Sequence, residues 1–381
     1  MAEVFTAGRI FDGMRLHEGA ALVVEGGVVS ALLPEAEAPP ATHRLEGILA
    51  PAFLDLQING GGGLMVGPGT DVAALAQMCA THRGLGSVGV LPTLITDTQE
   101  VSAQVIAAGI GAARAGVAGF LGLHLEGPHL DVRRKGAHDA ALIRPMEEED
   151  LARLIAARRN LPALMVTLAP ASVRPDQIAR LAEAGVVVSL GHAECSYDEA
   201  QAAFAAGASV VTHLFNAMSQ LGNREPGLVG AVLAGQGGPA HPAAALPHAG
   251  LIADGLHVHP ATMALALKAR SRGIFLVSDC MGFAGTEATE MELNGRRVLR
   301  HEGRLTLPDG TLAGADLTLA QAVRVLVRRL GLAPERALRM ASAEPAAVLG
   351  LGHRYGSLTP GRAAEMVHLD DDFRLRGVIG F

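Results

Sequence analysis

The chain has 381 residues, enough for one large domain with an appendage or for two domains. Apolar residues make up 49% of it, but Trp is absent and aromatics are few, so its core must be built from Ala, Leu and Val. A net charge of -7 argues against a nucleic-acid surface, no apolar run is long enough to span a membrane, and three cysteines without CxxC spacing make no disulfide framework. With no basic-then-apolar start of the signal-peptide kind, the expectation is a soluble cytoplasmic protein.

Residues 1–49 are short β-type runs punctuated by Gly and Pro: "AEVFTAGRIFDG", "ALVVEGGVVSAL" and "HRLEGILA". The other end, 345–381, closes with "GSLTPGRAAEMVHLDDDFRLRGVIGF" and has the same texture. The two ends are expected to pair into one small β-sandwich domain. Between them, over 50–344, eight apolar runs alternate with Ala-rich stretches: "APAFLDLQI", "SVGVLPTLI", "GFLGLHLEG", "ALMVTLAP", "VVVSLGH", "SVVTHLF", "AGLIADGLH" and "GIFLVSDC". Helices are predicted from Asp71 to Gly84 and from Thr98 to Gly116. Ser196-Tyr197-Asp198-Glu199 is a capping box for a helix ending at Gly207. Strands and helices in this alternation predict an α/β fold, a (β/α)8 TIM-type barrel. A doubly wound open sheet competes, because periodicity does not show closure. After the eighth run, residues 286–312 predict hairpins with turns at Asn294-Gly295 and Asp309-Gly310.

In "LGLHLEGPHL" the leucines alternate with Gly122, His124 and Glu126, and a carboxylate at the end of such a strand is expensive to bury unpaired. Barrel chemistry sits at the C-terminal ends of the strands. The polar residues there are Gln57 and Asn59 on the first run, Glu126 on the third, His192 on the fifth and His213 on the sixth. His257 follows the seventh and Asp279 closes the eighth. A single His in an apolar strand is more often a hydrogen-bonded core residue than a ligand. Glu126, His192 and His213 together on one rim shift that balance, because three protein ligands with an open fourth position suit a catalytic divalent ion. Asp279, facing the same place, is a candidate general base.

Other features read more plainly. Gly60 to Gly63 let a loop pack closely rather than cradle phosphate, since no Lys-Ser/Thr follows. Arg133-Arg134-Lys135 is a solvated loop, Cys195 a small packed side chain rather than a nucleophile, and Met146 to Asp150 an acidic first helical turn.

The segments "PAFLDLQINGGGG", "GLHLEGPHL", "KGAHD", "LGHAECSYDEA", "VTHLFNAMS", "REPGLVGA", "IADGLHVHP", "LVSDCM" and "GTLAGADLTL" span nearly the whole chain. In their order and spacing they resemble the N-acetylglucosamine-6-phosphate deacetylases of the amidohydrolase superfamily. The resemblance implies Glu126, His192 and His213 as ligands of one divalent metal ion per subunit, zinc being expected, with iron, cobalt or manganese as alternatives. It implies Asp279 as catalytic acid and base, and His138 beside it polarising the acetamide carbonyl. Around the amino-sugar phosphate it places Ala137, Asn216, Ala217, Arg224, His257 and the backbone of Leu312, Ala313 and Gly314. It further implies a homodimer in which Arg224 reaches the neighbouring site.

The chain departs from the superfamily's usual His-x-His, carrying Gln57-Ile58-Asn59 instead, and an amide is a poor ligand beside imidazole. "SDCM" stands where "TDA" is commoner, "GRAAEMVHL" is a loose form of "GxxADLV", and His259 stands where many relatives have an acidic residue, where it can adjust substrate preference. The activity expected is hydrolysis of N-acetylglucosamine 6-phosphate to glucosamine 6-phosphate and acetate, in amino-sugar catabolism and cell-wall recycling. Deacetylation of N-acetylgalactosamine 6-phosphate, another amidohydrolase reaction, and a non-catalytic sugar-phosphate-binding regulator are the alternatives.

Overall fold

The computed structural model describes residues 2–234, 246–293 and 295–380. The eight apolar runs contain eight strands: β1 (Phe53–Ile58), β2 (Ser87–Ile95), β3 (Leu123–Glu126), β4 (Leu164–Leu168), β5 (Val187–Leu190), β6 (Val210–Val211), β7 (His248–Leu251) and β8 (Ile274–Leu276). They lie in sequential order in one parallel sheet. Its two edges meet just beyond β1 and β8. The Asp279 N–H donates to the Gln57 carbonyl at 3.0 Å and the Asn59 N–H to the Cys280 carbonyl at 2.8 Å. That seam makes the sheet a barrel and excludes the open doubly wound alternative.

Among the described residues one helix follows each of β1 to β7: α1 (Val72–Gly84), α2 (Gln99–Arg114), α3 (Glu148–Arg158), α4 (Pro175–Glu183), α5 (Tyr197–Ala205), α6 (Gly227–Leu233) and α7 (Pro260–Ala269); three more, α8 (Leu319–Leu330), α9 (Pro334–Ala341) and α10 (Ala343–Val348), come after β8. Strands packed on both faces need apolar residues throughout, which is why they read as runs. The residues read as helix starts are caps: Asp71 accepts from the Ala74 N–H, Thr98 from Val101, and Ser196 and Glu199 form the capping box. Helix α5 stops at Ala205, before Gly207, whose φ of 113° turns the chain into β6. Inside the barrel, beneath the strand ends, a polar layer satisfies itself: His124 Nε2 meets Thr167 Oγ1 at 2.7 Å, and Thr167 and Ser189 each meet Thr212 at 2.6 Å. Burial, the largest influence, pushes the His124 pKa down to about 4, so this imidazole is neutral.

The first run divides at Ala52. Ile48–Pro51 pairs with Met366–Leu369 in a five-stranded sheet, and the barrel begins at Phe53. A four-stranded sheet containing Glu3–Thr6 and Ala20–Glu25 faces it. Phe5, Leu22 and Val24 from the latter share one core with Ile10, Leu49 and Met366 from the former, so chain ends form a sandwich. After β8 the strands Glu290–Leu293, Arg296–His301, Arg304–Thr306 and Leu312–Ala315 make an antiparallel sheet. Gly310 turns its last hairpin with φ 86°, while Asn294 lies outside the described residues. This excursion returns Leu312 to Gly314 to the barrel mouth. Among the described residues no helix is long and apolar enough to cross a membrane.

Candidate active site

Glu126 is the last residue of β3, while His192 and His213 lie two residues beyond β5 and β6. The two histidines take left-handed backbone, with φ 47° and 29°. Such a conformation is unfavourable for a residue with a Cβ, and here it ends the strand as the imidazole turns over the barrel mouth. Glu126 Oε1 is 3.0 Å from His213 Nε2 and 3.3 Å from His192 Nε2, and the two nitrogens are 3.1 Å apart. Donors around a tetrahedral ion with bonds of about 2.0–2.1 Å lie about 3.3 Å from one another, so the spacing fits a small divalent metal. The tautomer fits as well. His192 Nδ1–H donates to the Arg134 carbonyl at 2.8 Å, leaving the Nε2 lone pair for the ion. All three side chains are buried. Burial alone would raise the Glu126 pKa, but the facing imidazoles of His192 and His213 overcome it and hold the carboxylate well below its ordinary value.

Asp279 crosses the seam from the other side, also with left-handed backbone at φ 51°. Its Oδ1 accepts from Asn59 Nδ2 at 2.8 Å and from Gln57 Nε2 at 3.2 Å. The same Gln57 nitrogen lies 3.2 Å from Glu126 Oε1, so one neutral amide bridges the two carboxylates. Burial first, then the charge of Glu126, raises the Asp279 pKa, against the influence of His213 and the Asn59 hydrogen bond. Below the seam, Asp55 accepts from the Ser278 N–H at 3.2 Å and fixes the residue before Asp279.

His138 faces the same space from the loop after β3. The Thr96 N–H donates to its Nδ1 at 3.2 Å, so Nε2 carries the proton, and that atom is 3.7 Å from Glu126 Oε2. Burial, then the neighbouring His192, drives the His138 pKa down to about 3. The ring is therefore a neutral N–H donor.

These groups line one cavity of about 270 Å³. Its wall includes Ala137, His138, Asn216, Ala217 and His257, together with Leu312, Ala313 and Gly314. His257 is oriented by Asp254, whose Oδ2 lies 2.6 Å from Nδ1. None of the described residues lining the cavity is Lys or Arg. Arg224 is absent from the lining and exposed, in the loop before α6. His259 is also outside the lining; its Nδ1 caps α7 by accepting from the Ala261 N–H. Cys195 is buried and burial pushes its thiol up to about 11, which removes it as a nucleophile. A Cβ at Gly60 would sit 2.2 Å from the Leu64 carbonyl oxygen, so that glycine serves close packing.

The sequence reading missed Asp254, Thr96, Asp55 and the Arg134 carbonyl, which orient the site rather than form its wall. It also missed Arg296 of the hairpin sheet, which donates to the Ala137 carbonyl at 2.5 Å and ties that sheet to the cavity wall. Asp254 had a local signal, three residues before His257; the others contact the site only through the fold.

A buried Glu/His/His group at the C-terminal ends of barrel strands, beside an aspartate, defines a metal-dependent hydrolase of the (β/α)8 class. The family model described as the amidohydrolase family matches residues 48–379, and the chain belongs to that family. The N-acetylgalactosamine-6-phosphate deacetylase of Shewanella sp. (strain ANA-3) is 37% identical over 379 residues, covering 99% of this chain and 93% of its own. The human N-acetylglucosamine-6-phosphate deacetylase is 36% identical over 340 residues, covering 86% and 81%. The crystal structure of N-acetylglucosamine-6-phosphate deacetylase from Pasteurella multocida superposes with a TM-score of 0.92 at 32% identity, covering 100% of this chain and 98% of that one.

Proposed function

We propose that this protein hydrolyses the acetamide of N-acetyl-D-glucosamine 6-phosphate, releasing D-glucosamine 6-phosphate and acetate. The observation that supports it is the convergence of Glu126, His192, His213, Asp279 and His138 on one cavity. Full-length relatives are named as deacetylases of amino-sugar phosphates. The first three residues hold the divalent ion, for which zinc is our assignment; when bound, such an ion supplies Lewis-acid activation of water and carbonyl oxygen. Asp279 takes a proton from the attacking water through Oδ2, since Oδ1 is engaged by two amides. His138 Nε2–H points at the oxygen on which negative charge develops, and because the ring is neutral it donates without giving up its proton. Asp279 then returns its proton to the nitrogen, which leaves as an amine. Ala137, Asn216, Ala217, His257 and the backbone of Leu312, Ala313 and Gly314 bind the sugar phosphate.

The relative from Shewanella sp. and a second from Escherichia coli O157:H7, 34% identical over 383 residues, are both named for the galacto epimer. That favours N-acetylgalactosamine 6-phosphate as the second reading. Release of acetate, measured with each epimer at equal concentration, decides between them. Higher kcat/KM on the gluco compound is expected, a reversed ratio would establish the second reading, and no release from either would end the deacetylase proposal.

A dianionic phosphate in a cavity without a cation on its described wall needs one from elsewhere. Our reading is that a second copy donates Arg224, making the working unit a homodimer. Arg224 is exposed and has no ion-pair partner among the described residues, and Leu221 in the same loop is 63% exposed. Arg224→Ala is expected to raise KM for the phosphorylated sugar about 10–100-fold and scarcely change turnover of unphosphorylated N-acetylglucosamine. Mixing Arg224→Ala with Asp279→Asn subunits creates heterodimers with one intact site, so activity at low substrate should partly recover. Heterodimers that form without recovery would place the cation within one subunit.

A further inference from the structure

Asn59 carries an atom that this chemistry leaves without a role. Its side chain lies on the cavity wall at 6% exposure. Nδ2 donates to Asp279 Oδ1 at 2.8 Å, while Oδ1 is buried with no hydrogen-bond partner among the described residues. Exchanging the two atoms does not remove the difficulty, because it would press a carbonyl oxygen against a carboxylate oxygen. A buried acceptor left unpaired is costly, so its retention calls for a donor that arrives from outside the chain.

Position identifies that donor. The two polar atoms of a carboxamide are about 2.2 Å apart. Asn59 Oδ1 is therefore beside the carboxylate that must reach the scissile nitrogen. Asn59 holds one oxygen of that carboxylate, and a nitrogen reached by Oδ2 sits on the other oxygen of the same group. We infer that Asn59 Oδ1 accepts the N–H of the scissile amide, which makes Asn59 a catalytic residue and the site selective for acyl groups carried on nitrogen. The inference rests on the deacetylation reading above and names a recognition element within it. As the proton on Asp279 passes to the nitrogen and the C–N electron pair follows, the nitrogen gains positive charge and its N–H bond to Asn59 strengthens. The contact is then worth more in the transition state than in the bound substrate, and it raises kcat. An ester offers oxygen at that place, with no N–H to give.

The test compares N-acetylglucosamine 6-phosphate with 2-O-acetylglucose 6-phosphate in the metal-loaded wild type, Asn59→Ala and Asn59→Asp. Asn59→Ala removes both the N–H to Asp279, which serves either substrate, and the acceptor, which serves the amide alone. Its kcat/KM on the amide should fall about 10–100-fold further than on the ester, mainly in kcat, at unchanged metal content. Asn59→Asp sets an oxygen against Asp279 Oδ1 where the N–H stands, so it reports loss of the donor and should slow both substrates. Equal losses of Asn59→Ala on the two substrates would overturn the inference while leaving deacetylation intact. A wild type that releases acetate from neither compound would remove the deacetylation reading itself, and this one with it.

Discussion

Asp279→Asn is expected to lower kcat about 10²–10⁴-fold while substrate affinity and bound metal stay near wild type. The expectation of an intact site follows from how Asp279 is held. Its Oδ1 accepts two amide N–H groups, from Asn59 and Gln57, and an asparagine can present its carbonyl oxygen to the same pair. The backbone is fixed independently, by the Asp279 N–H on Gln57 and by Asp55 under Ser278. What the substitution removes is the second oxygen, which has no other assignment than to carry a proton from water to nitrogen. Calorimetric binding of substrate together with single-turnover kinetics would separate affinity from chemistry. Near-normal turnover in a metal-loaded variant would move the base elsewhere.

How much of this was legible beforehand depends on the range of the interaction. Strands buried on both faces must be apolar along their length, so all eight could be read as runs, and polar residues at their ends stood out against them. Glu126, His192 and His213 were visible for that reason, although they are far apart in the chain. Closure was not, since it rests on the seam between residues 57–59 and 279–280, contacts more than 200 positions apart that leave no period. The division of the first run at Ala52 was hidden too, because Ile48–Pro51 and Phe53–Ile58 are both wholly buried though they serve different sheets. Residues that orient the ligands were missed where the partner is main chain. Any residue type supplies a carbonyl such as that of Arg134, so no side chain announces the bond to His192. Gln57 and Asn59 could be recognised as departures from a ligand pair, but their use as N–H donors to Asp279 needed the geometry.

That use bears directly on metal stoichiometry. Elemental analysis of the purified protein is expected to find one tightly held divalent ion per subunit, and His192→Ala or His213→Ala to lose it. A second ion would need lone pairs from residues 57 and 59, between Glu126 and Asp279. Gln57 instead directs Nε2–H groups at both carboxylates, and Asn59 directs Nδ2 at Asp279. A carboxamide nitrogen has no lone pair to offer a cation, Asn59 Oδ1 is a neutral oxygen and a poor ligand beside imidazole, and the Gln57 N–H groups already hold the two negative groups together, the task a second ion would have. The remaining Glu/His/His set has no ligand to spare. Loss of an outer hydrogen bond to a ligand costs about 10–100-fold in metal affinity. Removing a ligand outright should cost more, leaving Glu126 and one imidazole in a pocket they cannot close around an ion. The readout is metal content after dialysis, alongside a thermal melt with and without added zinc. Wild type should gain Tm with the ion, because only the folded state presents the three donors together, whereas either variant should not. Two tightly bound ions in wild type, or full metal retention in both variants, would contradict the assignment of this group as the single metal site.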